Sequence, residues 1–378
     1  MKKPKLRKEL NAIKKLSAYV VILIVAVAGA HYLFNAHATS PYVAVAADKG
    51  VLTGSALEQQ NCTGASDGNC VVFGSMTTSG CTNFEPKSIF CQQVTNASVD
   101  SNSSTLVASL LSQFSGSIYL NTNSVGYPIY RVSNQTAQTV EFGGLVGSNC
   151  SGDGSFGPFS IPMPSGANGN GDSDSSALFY DQSTNTGWEL WEFTPPHENN
   201  TDSGVNNTAN SNYIACAGSQ FNTATTNGVT GGMAASSLSY LGTVISENDI
   251  ADGTINHALA IYVKSCNGDV APAVTSYGCN NSGSPIPFGQ YFRFPTTVAI
   301  PSALSPIGQL VFHAVQNYGI VVTDLGSDVA IPAEEPTGYD LTTGTASGQD
   351  PLSKIVSESG NSPLSGIPWS SLQAIQEP

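Results

Sequence analysis

Short alternating apolar segments, separated by tracts of Gly, Asn, Asp and Ser, dominate the hydrophobic pattern of this chain and predict strands and turns over most of its length. After an apolar N-terminal run, Tyr42–Ala47 alternates in the strand manner and Cys70–Gly74 repeats the pattern. Further strands are expected at Ser117–Asn121, Tyr127–Val132, Thr139–Phe142, Ile255–Val263 and Ile320–Asp324. A hairpin is expected where Ala177-Leu-Phe-Tyr-Asp181 and Gly187-Trp-Glu-Leu-Trp-Glu-Phe193 flank the polar linker Gln182–Thr186.

Helical spacing is rarer. Val107, Leu110, Leu111 and Phe114 recur with it over Ser104–Phe114, and Ile307, Leu310, Val311, Ala314, Val315 and Tyr318 form a continuous stripe after Pro306, with Gly319 placed for a C-terminal cap. Ser246-Glu-Asn-Asp249 has the form of a capping box for one short turn ending at Gly253. The fold class expected from these elements is mainly β, a β-sandwich or jelly-roll-like domain with one C-terminal amphipathic helix.

Four regions follow from the same pattern. Residues 1–38 read as an export signal or membrane anchor, 39–81 as a short β extension or spacer, 82–336 as the main β domain, and 337–378 as a Ser/Gly/Pro-rich tail. The first region begins with Lys2, Lys3, Lys5, Arg7, Lys8, Lys14 and Lys15 and continues uncharged from Ser17 to Phe34. Such a run reaches the minimum of about 17 residues for a bilayer span, whereas Ala36-His37-Ala38 offers the small residues of a signal-peptidase site, so cleavage and anchoring both stay open. Either way the remainder is expected outside the cytoplasm, secreted or at the cell surface, touching membrane only through the N-terminal segment if that is uncleaved.

Charge narrows the partners. Of 13 basic and 27 acidic residues, 7 basic and 1 acidic fall in the first fifteen positions, which leaves the exported part near −20. A surface of that sign repels phosphate backbones and excludes nucleic acid, while neutral glycans, cations and basic partners remain. All 8 cysteines lie in the exported part, and an even count there reads as disulfides. The expected local pairs are Cys62 with Cys70, Cys81 with Cys91, Cys150 with Cys216, and Cys266 with Cys279. No cofactor motif is present, and no Cys or His spacing forms a zinc signature.

The hairpin carries the candidate chemistry. If its turn centres on Thr184, Phe179 faces Glu189 and Asp181 faces Gly187, so that both acids share one sheet face with Trp191 and Phe193. Carboxylates beside aromatic rings suit a sugar site, in which rings stack on pyranose faces and acids bind hydroxyls or transfer protons. A slip of one residue would break the arrangement, because strand side chains alternate between faces. The candidate catalytic residues are therefore Glu189, Asp181 and His257, with Trp191 and Trp188 binding substrate. The plain alternative makes Trp191 and Phe193 core, and Glu189 a satisfied buried acid. His257, on an apolar face, reads as a hydrogen-bonded core residue or a proton-transfer group. Asp172 and Asp174 read as a solvated acidic loop or, less simply, as calcium ligands.

As a set, Asp181, Trp188-Glu-Leu-Trp191, Ile255-Asn-His-Ala-Leu259, Pro287-Phe-Gly-Gln-Tyr-Phe-Arg-Phe294 and Tyr318-Gly-Ile-Val-Val-Thr-Asp324 resemble a largely uncharacterised family of secreted bacterial β-rich proteins, over about residues 140–335. Members often accompany glycan-related modules, so the resemblance implies an extracellular polysaccharide as partner, bound or processed. Where members often carry a His before the first hairpin strand this chain has Ser176 and Ala177, which on that resemblance points toward binding without catalysis. The rival expectation is a non-enzymatic structural or adhesion protein of the cell envelope.

Overall fold

In the computed structural model the described residues are 56–60, 69–73, 81, 84–114, 118–143, 157–200, 204–231 and 233–378. The export segment, the strand expected at 42–47 and the sulfur pairings of Cys62, Cys70 and Cys150 lie outside what is described. Among the described residues no helix is long and apolar enough to cross a membrane. The chain divides into two compact units, residues 1–78 and 79–378. In the first, β1 (Ala56–Gln60) and β2 (Asn69–Phe73) form an antiparallel pair, with Ala56 opposite Phe73.

Among the described residues the second unit is mostly β and holds three mixed sheets. In chain order its strands are β3 (Tyr119–Asn121), β4 (Tyr127–Val132), β5 (Ala137–Phe142), β6 (Phe159–Pro162), β7 (Ala177–Asp181), β8 (Thr186–Trp191), β9 (Tyr213–Ala215) and β10 (Ala217–Asn222). They continue with β11 (Leu259–Val263), β12 (Tyr291–Arg293), β13 (Ile320–Leu325), β14 (Ala330–Pro332), β15 (Glu334–Glu335) and β16 (Gln373–Ile375). A five-stranded sheet has the order β10-β8-β7-β4-β15, a six-stranded sheet β16-β12-β13-β11-β14-β3, and a three-stranded sheet β6-β5-β9. None of these sheets closes on itself. The expected sandwich or jelly roll therefore reduces to its coarser content, a mainly β unit.

Five α-helices accompany the sheets among the described residues, where the pattern places three: α1 (Ser103–Ser112), α2 (Glu247–Asp252), α3 (Pro306–Asn317), α4 (Pro336–Thr343) and α5 (Pro351–Ser359). The two further helices, α4 and α5, are short, start with Pro and lack an extended apolar stripe, so periodicity alone does not announce them. α3 forms as its stripe predicts, burying Ile307, Val311, Phe312, Ala314 and Val315. Ser305 Oγ accepts from Gly308 N–H at its start, and Gly319 follows its end with φ +86°. α2 carries the full capping box between Ser246 and Asp249 and ends on left-handed Gly253.

The largest core surrounds the six-stranded sheet and includes Leu110, Ile261, Phe292, Val311 and Val322. Residues 337–378 belong to this unit rather than forming a loose tail. β16 pairs antiparallel with β12, and Leu364, Ile367, Trp369, Leu372 and Ile375 are buried in the main core. A composition rich in Ser, Gly and Pro conceals them, because a few apolar residues suffice when each fills a prepared site.

The five-stranded sheet buries both of its faces. Tyr130, Phe179, Trp188 and Leu190 pack on one side with Val140, Phe142, Ile161 and Ala215 of the three-stranded sheet. Ile129, Leu178, Tyr240, Leu241 and Tyr262 pack on the other. Disulfides join Cys81 to Cys91 and Cys266 to Cys279, as local pairing predicts, and Cys216 is also disulfide-bonded. Their presence fits an oxidising, extracytoplasmic compartment.

Candidate functional site

The β7–β8 hairpin forms, but one residue out of the register that would unite its acids. Asp181 pairs with Thr186, Phe179 with Trp188 and Leu178 with Glu189. The turn contains four residues because Asp181 Oδ1 accepts from both Ser183 N–H (2.8 Å) and Ser183 Oγ (2.6 Å), while Asn185 takes the left-handed φ of +52° that closes it. Glu189 and Asp181 consequently lie on opposite faces of the sheet. The hydrogen bonds from Ser183, opposing the effect of burial, hold the Asp181 carboxyl below its usual range.

The other predicted residues separate as well. Trp188 is buried against Phe179 and Leu190 in the core. Trp191 is half-buried, and its Nε1–H donates to Asp174 Oδ1 at 3.2 Å. Phe193 is fully buried and stacks on Tyr213 with ring centroids 5.2 Å apart. His257 precedes β11 instead of lying within it, and its partners are Asp249 Oδ2 at 3.2 Å and Ala258 O at 2.9 Å, not Glu189 or Asp181. Both ring nitrogens thus face acceptors, which calls for a doubly protonated imidazolium. Burial alone would lower its pKa, but Asp249 and the carbonyl outweigh it and the net shift is upward.

Glu189 is fully buried and joins the hairpin to the loop over that face of the sheet. Its Oε1 accepts from Ser239 Oγ (2.8 Å), Tyr240 N–H (2.8 Å) and Leu241 N–H (2.9 Å), and its Oε2 accepts from Thr230 Oγ1 (3.3 Å). Burial raises its pKa to about 6 against the pull of these donors, so it is mostly ionised at neutral pH. Ser239 Oγ also hydrogen-bonds Glu85, likewise fully buried. Burial, and then the charge of Glu189, push Glu85 well above the carboxylate range and make it the protonated member.

A second buried network lies at α2. Arg131 on β4 grips Glu334 in a bidentate pair, Nη1 to Oε1 at 2.5 Å and Nη2 to Oε2 at 2.9 Å, between the rings of Phe84 and Tyr339. Glu334 Oε2 also accepts from Glu247 N–H at 2.8 Å, and Glu247 Oε2 accepts from Leu352 N–H at 2.7 Å. Between the sheets, Tyr240 donates to Asp324 Oδ2 at 2.7 Å, while Tyr127 and Tyr262 hydrogen-bond each other. Burial lifts Asp324 to about 6. Sequence reasoning missed the roles of Glu85, Ser239, Arg131, Glu247 and Glu334. A signal existed for Arg131, the one charge in Tyr127-Pro-Ile-Tyr-Arg-Val132, because a charge within a buried strand requires a partner.

Chemically, these acids hold protons and cap loops inside the molecule. A concavity of about 190 Å³, lined by Thr122, Asn123, Pro336, Leu352, Ser353, Val356 and Ser357, contains none of the five predicted residues. It is also smaller than the roughly 300–1,000 Å³ of small-molecule sites. Among the described residues no group of three or more His, Cys, Asp or Glu side chains is arranged to hold a metal ion, and Asp172 and Asp174 belong to no such group. The chain matches no protein-family model, no curated protein and no solved structure.

Proposed function

We propose that this chain is an exported, disulfide-braced cell-surface protein with a structural or adhesive role, in preference to one that processes a polysaccharide. The observation that carries this reading is Glu189. A general acid or base must reach the bond it serves, yet this carboxylate is fully buried and spends both oxygens on four internal donors. Asp181, its expected partner, serves a turn on the other face.

An adhesive role needs a stiff, exposed contact surface, and the loop closed by Cys266–Cys279 supplies one. Val274 and Tyr277 are 60% and 73% exposed. Their backbone N–H groups donate to Ser236 O and Ala235 O, each at 3.2 Å, and Val270 N–H donates to Phe288 O at 2.8 Å. The loop is thereby held from both sides, so little conformational entropy is lost when it makes contact.

The test compares wild type, Glu189→Gln and Val274→Asp/Tyr277→Asp for binding to cell-envelope preparations, release of fragments from a polysaccharide panel, and Tm. The loop variant should lose envelope binding at least tenfold with Tm unchanged. Glu189→Gln should lower Tm and leave binding intact. Fragment release by the wild type that disappears in Glu189→Gln would overturn the proposal in favour of glycan processing, and glycan binding indifferent to the loop would favour a lectin.

A further inference from the structure

Glu247, the first residue of α2, and Asp350, the N-cap of α5, are both fully buried acids. Each has one oxygen accounted for: Glu247 Oε2 accepts from Leu352 N–H at 2.7 Å, and Asp350 Oδ1 accepts from Ser353 N–H at 2.7 Å. The remaining two oxygens, Glu247 Oε1 and Asp350 Oδ2, are buried without a hydrogen-bond partner. Because Glu247 Oε2 takes the N–H of Leu352, two residues after the N-cap Asp350, both acids sit at the first turn of α5. Two ionised carboxylates cannot satisfy each other there, because neither has a hydrogen to give.

We infer that Glu247 and Asp350 share a single proton, and that this proton latches α5 to α2 and opens the contact when alkali removes it. The groups facing the pair leave no other source of neutralisation. From β15 comes Glu334, whose charge is already matched by Arg131 of β4. Asp249 of α2 is matched by His257. From α4, Asp340 adds a further negative charge beside Asp350. Lys354 of α5 is exposed. Burial first, and then the negative charge of Glu334, raise Glu247 to about 9, whereas the N–H groups at the start of α5 keep Asp350 low. The proton therefore resides on Glu247, which donates to Asp350.

When the latch opens, both carboxyls meet water and the proton is released to solvent. The opening constant should then rise about tenfold per pH unit up to roughly pH 9, as expected when one proton is bound only in the closed state. Hydrogen exchange of the α5 amides, corrected for intrinsic rate and measured from pH 6 to 9, reads this slope directly. Wild type should lose protection about tenfold per unit. Glu247→Gln, whose amide donates to Asp350 at any pH, should give a flat line. Asp350→Asn is the second variant; Asn caps helices as well as Asp does, and its amide supplies the missing donor to Glu247. The infrared carbonyl band of protonated carboxyls at pH 7, to which Glu85 also contributes, should lose one group's intensity in both variants, and in wild type that share should titrate away near pH 9. Equal slopes in wild type and in whichever variant folds, or a protonated-carboxyl band unchanged by both substitutions, overturns the inference.

Discussion

Replacing Arg131 by Met tests whether the network at α2 stabilises the fold or merely decorates it. Arg131 is 18% exposed and Glu334 is fully buried. Removing the guanidinium leaves a buried carboxylate without its partner, a change that costs about 3–5 kcal/mol. It also removes a cation from between Phe84 and Tyr339, whose ring centroids lie 5.3 and 5.0 Å away. Each such contact is worth about 0.5–1 kcal/mol at a partly exposed site, although the Met stem keeps some packing between the rings. The expected loss is about 4–6 kcal/mol, much of the stability of a typical domain, and corresponds to a Tm drop of roughly 8–12 °C at about 2 °C per kcal/mol. Urea and thermal melts of Arg131→Met, Glu334→Gln and the double variant measure it. The double variant should recover about half the loss, because no buried charge is then left over. The loss should also shrink as pH falls, because burial raises the Glu334 pKa and, without Arg131 to oppose it, the carboxyl takes up a proton and becomes neutral. A loss below about 1 kcal/mol, or a double variant as unstable as Arg131→Met, would refute the reasoning.

Gly338 in α4 lies so close to β4 that a Cβ would meet the Ile129 backbone at 2.6–2.8 Å, so Gly338→Ala should cost about 1–3 kcal/mol by forcing helix and strand apart, read from the urea midpoint. Truncation after Gly360 removes β16 and the buried Leu364, Ile367, Trp369 and Leu372; it should abolish cooperative unfolding by circular dichroism, whereas a dispensable tail would leave the melt unchanged. The pH dependence of Tm should slope downward from about pH 5.5 to 8.5. Glu85, Glu189, Asp324, Glu247 and His257 all have raised pKa values in the folded state, so the fold binds more protons than the unfolded chain and loses stability as they leave. A Tm that rises over that interval would contradict the assignment of these groups.

Several elements were legible from the chain alone because their cause is local. The β4 strand, the stripe of α3 with Gly319 after it, the capping box of α2, and the β7–β8 hairpin each depend on residues within one or two turns of one another. So do the Cys81–Cys91 and Cys266–Cys279 links, whose loops close over short distances. Net charge and cysteine content likewise restrict partners and compartment without reference to any fold.

Register and burial were decided elsewhere. Asp181 chose the shorter turn through bonds to Ser183, and because strand side chains alternate, that one residue moved Glu189 to the opposite face, where Ser239, Tyr240 and Leu241 converge from about fifty residues downstream. No local pattern marks Glu85 as its neighbour across Ser239. Glu247 finds Asp350 only because α5 folds back on α2 from a region whose composition suggests a tail. A carboxyl group's protonation and role depend on the dielectric and the donors around it, and these are properties of the packed interior that residues distant in sequence create together.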